Sequence, residues 1–212
     1  MFDRRLIPIQ KRLLEPIAKR LAASGVGADA ITIAGFIVGL AALPFLAFQA
    51  YSAALFCILA NRVLDGLDGT VARLTRPSDR GAYLDIAFDM FFWSTIPLGF
   101  AWANPAENAL AACALLLSFV GTGSSFLAFA AITHKRGDEK ASYPGKGIQY
   151  IGGLAEGAET IAVFVLMCVF PSTFNELAWA FAAICLVTTV VRWWEGWRVF
   201  GAVVIGLVLA QI

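Results

Sequence analysis

Long apolar stretches alternate with short polar ones along this chain of 212 residues. Each apolar stretch runs for about 20 residues, the length that an α-helix needs to cross the hydrocarbon core of a bilayer. The pattern predicts six membrane-spanning helices, over 30–50, 51–73, 82–104, 107–133, 149–170 and 174–192. The predicted fold is therefore all-α, a polytopic bundle of six transmembrane helices.

The two ends of the chain differ from these spans. Near the N-terminus, apolar residues such as Leu13 and Ile17 alternate with basic ones at helical spacing. This pattern predicts an amphipathic helix that lies in the membrane interface. The last residues are apolar but too few for an ordinary crossing. We therefore expect an interfacial helix over 1–28, a transmembrane domain over 29–199 and an apolar tail over 200–212.

The composition agrees with a membrane protein. Hydrophobic residues make up 59% of the chain and charged residues 15%, whereas about a quarter of a soluble domain is charged. The mean hydropathy is +0.76. With a formal net charge of only +1, we expect the lipid bilayer as the surrounding partner and no nucleic acid.

The basic residues are distributed unevenly across the predicted membrane. The outer connections, near 49–52, 104–108 and 171–176, contain no Lys or Arg. All 16 basic residues lie at or near the other face, at positions 4, 5, 11, 12, 19, 20, 62, 73, 76, 80, 135, 136, 140, 146, 192 and 198. Because basic segments resist translocation, this face is predicted to be cytoplasmic. The expected location is a bacterial inner membrane.

Four aspartates stand where the second predicted span turns into the third. Asp65 and Asp68 are spaced i,i+3 and share one helix face, and Asp85 and Asp89 are spaced i,i+4 on the next helix. A short turn between them makes the two helices antiparallel neighbours. Charged residues in membrane helices are costly and mark functional sites. We expect the four carboxylates to converge near the cytoplasmic end of the bundle.

Like charges at such range raise one another's pKa, so either protons or cations must lie among these carboxylates. Oxygen ligands favour hard divalent ions such as Mg²⁺, Mn²⁺ or Ca²⁺. Gly69 and Ala72 leave room for a ligand beside the helix, and Arg73 carries a charge suited to phosphate oxygens. The stretch therefore suggests a site that holds a diphosphate at the membrane surface.

The spacing Asp65-x2-Asp68-Gly69-x2-Ala72-Arg73-x7-Gly81-x3-Asp85-x3-Asp89 resembles the signature of the CDP-alcohol phosphatidyltransferases. Its linker between Arg73 and Gly81 is about one residue shorter than the family's common pattern. Chain length, six spans and the amphipathic N-terminal helix are also similar to that family, and Thr32 resembles a threonine often found at the start of its first span.

This resemblance implies the transfer of a phosphatidyl group from a CDP-activated lipid, usually CDP-diacylglycerol, to the hydroxyl of a small alcohol, with release of CMP. It implies a metal site for two Mg²⁺ or Mn²⁺ ions, with Asp89 also acting as the general base, and a homodimer. The residues carried over are Asp65, Asp68, Asp85 and Asp89 for metal, and Gly69, Ala72, Arg73, Gly81 and Thr32 for the CDP moiety.

Further residues are candidates for the acceptor site. Glu156 and Glu159 lie at i,i+3 in the fifth predicted span, where they would bind the acceptor or form a hydrogen bond between helices. Lys135, Arg136 and Lys146 belong to a polar loop whose charges suit a phosphorylated acceptor. The ordinary cytoplasmic excess of basic residues explains the same charges. The identity of the alcohol therefore stays open.

Three other interpretations of the aspartates are available. They could be solvated helix ends paired with Arg73, Arg76 and Arg80. They could belong to a cation transporter, although such proteins place their sites near the bilayer midplane. They could also bind the diphosphate of a UbiA-like prenyltransferase, whose aspartate motifs lie in separated loops.

Overall fold

The computed structural model describes residues 3–136 and 153–209, with the side chains of all of them except 3–9, 11 and 202–209. No β-strand occurs in these two ranges, so the all-α prediction is confirmed. The helices are α1 (Asp3–Ala23), α2 (Ala28–Leu40), α3 (Ala42–Ala47), α4 (Tyr51–Leu74), α5 (Asp79–Ala103), α6 (Pro105–Arg136), α7 (Gly157–Val169) and α8 (Phe174–Leu209), with a 3₁₀ turn at Pro171–Thr173.

Four segments are long and apolar enough to cross a membrane: Ala28–Ala47, Asp79–Ala103, Pro105–Arg136 and Pro171–Gly201. They confirm four of the six predicted spans, and the chain is an integral membrane protein. Helix α4 has 24 residues and is about 36 Å long, but charged residues interrupt its C-terminal half. Helix α7 has only 13 residues, about 20 Å. The total of six spans stays a prediction.

The first span is divided between α2 and α3 at Ala41. Pro44 explains the division, because its nitrogen carries no hydrogen and cannot bond to the carbonyl of Leu40 one turn earlier. The two helices together still form one segment long enough to cross a membrane, Ala28–Ala47, so the first predicted span is confirmed.

The three connections predicted to lie outside meet at one end of the bundle, where they line a common polar cavity. The amide of Gln49 donates to the carbonyl of Ala103 at 3.0 Å. The amide of Asn175 donates to the carbonyl of Glu107 at 2.6 Å. The turn between α4 and α5, next to the aspartates, lies at the other end of these helices.

Aromatic side chains form the core that holds α5 against its neighbours. Phe100 is fully buried, stacks on Phe174 with ring centroids 4.4 Å apart and stacks on Tyr51 at 5.6 Å. Phe92 and Phe164 are also fully buried. This packing fixes the position of α5 and therefore the position of the aspartates that it carries.

Helix α1 confirms the helical prediction near the N-terminus. Its Leu14 and Ala18 pack against Leu67 and Val71 of α4, whereas Leu13 is 70% exposed. Apolar side chains of α1 therefore face both the protein and its surroundings. On the polar side, Lys19 holds the pKa of the Glu15 carboxyl below its usual range.

The last two helices differ from the predicted boundaries. Helix α7 begins only at Gly157, well after the predicted start of the fifth span. Helix α8 continues for 36 residues to Leu209, although the sixth span was predicted to end at 192. The tail that we expected from residue 200 is therefore helical as far as Leu209.

Candidate active site

Helices α4 and α5 bring the four aspartates into one cleft. Helix α4 ends at Leu74 and α5 begins at Asp79, so only four residues separate them. The hydroxyl oxygen of Ser78 accepts a hydrogen bond from the backbone N–H of Gly81 at 3.0 Å, which caps the start of α5. This tight turn reverses the chain, and α2 packs closely against both α4 and α5, whereas α4 and α5 do not pack closely against each other in the described residues. The expectation that the short turn alone makes them packed neighbours was therefore wrong, because α2 lies between them and completes the cleft.

Three of the aspartates form a close group. Asp65, Asp68 and Asp85 each offer a carboxylate oxygen, and these oxygens lie within 4.8 Å of one another. Oδ2 of Asp68 is buried, and no group in the described part of the chain forms a hydrogen bond with it. A buried acceptor without a donor is costly, and a cation would satisfy it. Three carboxylates with such an oxygen suit a hard divalent ion.

The fourth aspartate faces an arginine instead. Nη2 of Arg62 donates to Oδ1 of Asp89 at 2.6 Å, and Nη1 of Arg62 lies 3.7 Å from Oδ2 of Asp65. Asp89 lines the same cleft as the other three but is not part of their close group. Its role as a metal ligand therefore stays a prediction.

Of the residues expected to bind the CDP moiety, Thr32 alone is among those that line the described cleft, whereas Gly69, Ala72 and Arg73 lie further along α4 and Gly81 lies near the start of α5. The hydroxyl of Thr32 donates to the carbonyl of Ala28 at 3.1 Å. Arg73 donates to the hydroxyl of Thr70 at 3.0 Å. A Cβ atom on Gly69 would lie 3.4 Å from Nη1 of Arg73, so the arginine side chain lies over the glycine. Ala72, on the same stretch of α4, is half-buried.

Gly81 allows the start of α5 to approach the start of α2. A Cβ atom there would lie 3.0 Å from Oδ1 of Asp29 and 3.2 Å from Oγ of Ser78. Both distances are shorter than most contacts that a Cβ atom makes with other heavy atoms in proteins. Asp29 is held by Arg80, whose Nε lies 2.7 Å from its Oδ2. A small residue at position 81 therefore keeps the two helix ends together beside the cleft.

A comparison with known protein families identifies the family of this chain. The sequence profile named CDP-alcohol phosphatidyltransferase matches residues 26–194, which include all four aspartates. The chain belongs to the CDP-alcohol phosphatidyltransferase family. Since the match covers most of the chain, the family's enzyme class applies to it, and the transporter and UbiA-like interpretations are set aside.

Two curated members of this family are similar in sequence. The inner membrane protein YnjF of Escherichia coli strain K12 is 49% identical over 197 residues, 93% of this chain and 96% of that protein. The archaetidylinositol phosphate synthase of Pyrococcus horikoshii is 28% identical over 159 residues, 74% of this chain and 78% of the synthase.

Solved structures of the phosphatidylinositol phosphate synthase of Mycobacterium tuberculosis share the fold of this phosphatidyltransferase family member. The form with CDP-DAG bound has a TM-score of 0.71 at 21% identity, covering 88% of this chain and 94% of that chain. The form in complex with manganese and citrate has a TM-score of 0.70 at 23% identity, covering 87% and 88%.

The acidic acceptor candidates of this phosphatidyltransferase lie at the start of α7. Glu156 is the residue before the helix, and its Oε1 accepts from the backbone N–H of Gly153 at 3.2 Å. Glu159 lies in the first turn and is half-buried. The expectation that both lie inside a helical span was wrong for Glu156, because α7 starts one residue later.

The basic acceptor candidates are not gathered at the cleft by any contact within the described residues. Lys135 and Arg136 end α6. Arg136 donates to the carbonyl of Phe200 at 3.2 Å, and its guanidinium lies 4.8 Å from the centroid of that ring. Lys146 lies outside the described residues.

Two residues of the cleft, Asn61 and Arg62, were given no role in the sequence analysis. Arg62 precedes Asp65 by three positions, so the spacing alone puts it on the same helix face. The spacing of three positions between Arg62 and Asp65 could therefore have identified Arg62 as a residue of the cleft. One interpretation of the sequence pairs the four aspartates with arginines that include Arg80. In the described structure Arg80 binds Asp29.

Proposed function

We propose that this protein transfers a phosphatidyl group from a CDP-activated lipid, CDP-diacylglycerol in the first instance, to the hydroxyl of a small alcohol and releases CMP. The single observation that carries this proposal is the close group of Asp65, Asp68 and Asp85 inside the region matched by the family. The synthase with the same fold that binds CDP-DAG supports the choice of lipid.

A divalent ion is the proposed cofactor, with Mn²⁺ or Mg²⁺ as the metal. Two such ions would be held by Asp65, Asp68, Asp85 and Asp89, as the family resemblance implies, and the buried Oδ2 of Asp68 provides a ligand atom that needs a partner. The related synthase structure in complex with manganese supports this assignment. When bound, such an ion offsets the charge of a diphosphate and of the leaving phosphate.

In the proposed reaction, the alcohol oxygen forms a bond to the phosphorus attached to the lipid. The bond from that phosphorus to the bridging oxygen breaks, and CMP leaves. Asp89 takes the proton of the alcohol as general base. Its Oδ1 accepts from Arg62, but a carboxylate offers about four acceptor positions, so this bond leaves capacity for a proton.

The CDP moiety is proposed to lie along α4, where Arg73 would bind phosphate oxygens with charge-assisted hydrogen bonds. Gly69 and Ala72 present almost no side chain there, and Thr32 lies beside the carboxylates. Gly81 holds the start of α5 in place. These assignments follow the positions of the family signature.

A phosphorylated inositol is the first acceptor to test, because one relative is named archaetidylinositol phosphate synthase and a solved structure with the same fold is named phosphatidylinositol phosphate synthase. Lys135, Arg136 and Lys146 are the proposed partners for its phosphate group, and Glu156 and Glu159 the proposed partners for its hydroxyls. In this assignment Arg136 would leave Phe200, which it contacts in the described structure.

The proposed location is the inner membrane, with the cleft facing the cytoplasm. The absence of Lys and Arg from the outer connections supports this orientation, and the name of the Escherichia coli relative supports the membrane. We also propose a homodimer and one catalytic domain over 29–199, flanked by the interfacial helix 1–28 and the tail 200–212. Light scattering of the detergent-solubilised protein tests the dimer.

The function is tested by CMP release from purified protein in nanodiscs, supplied with CDP-diacylglycerol, Mn²⁺ and a panel of alcohols that includes inositol phosphate, glycerol 3-phosphate and serine. We expect release with one alcohol, and none in EDTA. The variant Asp68→Asn should abolish it. Asp79→Asn removes the same charge from the exposed start of α5 and should keep normal turnover. No CMP release with any alcohol of the panel would contradict the proposal.

A further inference from the structure

Helix α1 packs on the segment of α4 that carries Asp65 and Asp68. Leu14 of α1 is buried in the same apolar cluster as Leu67 and Val71 of α4, and Asp68 lies between these two residues in the sequence. The reaction proposed above gives α1 no task beyond its place in the membrane interface. Its contacts with α4 indicate a more specific one.

Gly66, between the two aspartates, lets α1 approach the backbone of α4. A Cβ atom there would lie 2.9 Å from Cδ1 of Leu14 and 2.8 Å from Cδ of Gln10, so a side chain could enter only if α1 or these two side chains moved. The amide of Gln10 also donates to the carbonyl of Arg62, one helical turn before Gly66, at 3.4 Å. Small residues permit such close packing of two helices.

The position of Asp65 and Asp68 relative to Asp85 depends on neighbouring helices. In the described residues, α4 does not pack closely against α5, whereas α1 and α2 both pack against α4. Ile31 of α2 belongs to the same buried cluster as Leu14 of α1. Metal ligands work only within about 0.2 Å of their ideal distance. A displacement of α1 that moves α4 would therefore weaken metal binding.

A second apolar face of α1 is turned away from α4. Leu13 is 70% exposed and Ile17 is 49% exposed, and their i,i+4 spacing places them on one side of the helix. Arg12 and Arg20 are exposed as well. An interfacial helix buries such apolar side chains at the acyl boundary, and its basic side chains meet anionic headgroups. The bilayer surface is therefore the partner that this face fits.

We propose that α1 couples the membrane surface to the metal site. The bilayer holds the exposed face of α1, and α1 holds the turn of α4 that carries Asp65 and Asp68 through its contact with Gly66. Gly66 is then a positioning residue, because it acts through the two aspartates. This inference rests on the proposed function, but it concerns how the metal ligands are held and not which alcohol reacts.

The contact with α4 is tested by the affinity of the purified full-length protein for Mn²⁺, measured by the electron paramagnetic resonance of free Mn²⁺ without substrates. The protein is placed in nanodiscs of phosphatidylethanolamine and phosphatidylglycerol. Gly66→Leu inserts a side chain between the helices and should weaken binding by about 10–100-fold, the loss typical of residues that support metal ligands. Gly201→Leu is the matched control, because no atom lies within 4 Å of a Cβ atom added there. It should bind Mn²⁺ as the wild type does.

A compensating variant separates positioning from general damage to the protein. Gln10→Ala and Leu14→Ala remove the side chains that the new leucine would meet. Combined with Gly66→Leu, they move a leucine from α1 to α4 and conserve much of the volume of the interface. The triple variant should regain an affinity for Mn²⁺ within about threefold of the wild type, because conserved volume is what a packed interface tolerates best.

The contact with the membrane is tested by the double variant Leu13→Gln, Ile17→Gln, which keeps every charge and the α4-facing side of α1. In the same nanodiscs it should bind Mn²⁺ at least about fivefold more weakly than the wild type, the lower range for coupling between two sites. Phe48→Gln, 84% exposed near the outer end of the bundle, should bind Mn²⁺ normally. A purely structural contact between α1 and α4 predicts no loss in the double variant. This arm decides the question where Gly66→Leu does not fold.

Wild-type affinity for Mn²⁺ in folded Gly66→Leu, or in the double variant, would overturn the inference. So would a triple variant that regains no affinity. These measurements do not depend on turnover. CMP release by a wild type whose affinity for Mn²⁺ is unchanged by these substitutions would contradict the coupling and support the proposed function. The expected losses of affinity without any CMP release would do the reverse.

Discussion

Replacing Asp68 with asparagine should have opposite effects on stability without and with metal. Two carboxylate charges 4.8 Å apart repel each other by about 3.5 kcal/mol at an effective dielectric constant of about 20. Asp68 has two such neighbours, so the gross repulsion is about 7 kcal/mol. Because carboxylates at this range take up a proton rather than carry the full repulsion, we expect a net gain of about 1–2 kcal/mol for Asp68→Asn in EDTA.

The same substitution should remove the stabilisation by metal. An ion present at 100 times its Kd stabilises the folded wild type by about 2.7 kcal/mol. The variant lacks one of the carboxylate ligands and should gain little from the same Mn²⁺ concentration. The amide nitrogen of asparagine can take the place of Oδ2 of Asp68, which has no partner in the described structure, while its carbonyl oxygen keeps the place of Oδ1.

Thermal unfolding in detergent, followed by the fluorescence of the six tryptophans, measures both effects. In EDTA, Asp68→Asn should raise the Tm by about 3–6 °C, and Mn²⁺ should raise the Tm of the wild type alone. Asp79→Asn, at an exposed position, should behave as the wild type in both conditions. A lower Tm of Asp68→Asn in EDTA, or an equal rise of its Tm with Mn²⁺, would refute the reasoning.

Three further predictions concern catalysis, substrate binding and the core. Asp89→Asn should lower kcat by at least about 100-fold, the lower range for a general base, with CDP-lipid binding retained by filter assay; normal turnover would remove Asp89 from that role. Arg73→Ala should raise the KM for the CDP-lipid by about 10–100-fold, because it loses a charge-assisted bond of about 1.5–3 kcal/mol; an unchanged KM would place Arg73 outside the CDP pocket. Phe100→Ala should lower the free energy of unfolding by about 3–5 kcal/mol, because Phe100 is buried and stacks on Phe174. Phe48 is 84% exposed, so Phe48→Ala should lower it little. Similar losses for both variants in denaturant titrations would contradict this account of the core.

The positions of the aspartates could be predicted from the sequence because they depend on local geometry. The i,i+3 and i,i+4 spacings place the carboxylates on particular helix faces, and a turn of four residues leaves the two helices little freedom. These two quantities bring the aspartates to the same end of the bundle, and the packing of α2 against both α4 and α5 completes the close group of Asp65, Asp68 and Asp85.

Other features depend on contacts between distant segments and could not be predicted in the same way. The pairing of Asp89 with Arg62 requires the packing of Asn61 against Gly35 and the two aromatic rings of α5. Hydropathy does not report such contacts. The start of α7 was also missed, because the glycines before it are apolar enough to extend an apolar window without forming a helix.

The break in the first span and the extension of the last helix were not predicted, although the break has a signal in the sequence. Pro44 divides the first span between α2 and α3, and its missing N–H was a readable signal that the span assignment did not use. Gly196 and Gly201 did not end α8, which continues to Leu209. Glycine lowers helix stability by only about 1 kcal/mol, and favourable packing elsewhere along the helix offsets a loss of that size.

The central claim, that carboxylates from α4 and α5 bind a divalent cation, is tested most directly by anomalous diffraction from crystals grown with Mn²⁺. Our account predicts an anomalous peak in each chain within bonding distance of Asp65, Asp68 and Asp85. Manganese bound only outside this cleft, or the absence of any peak inside it at saturating Mn²⁺, would contradict the account.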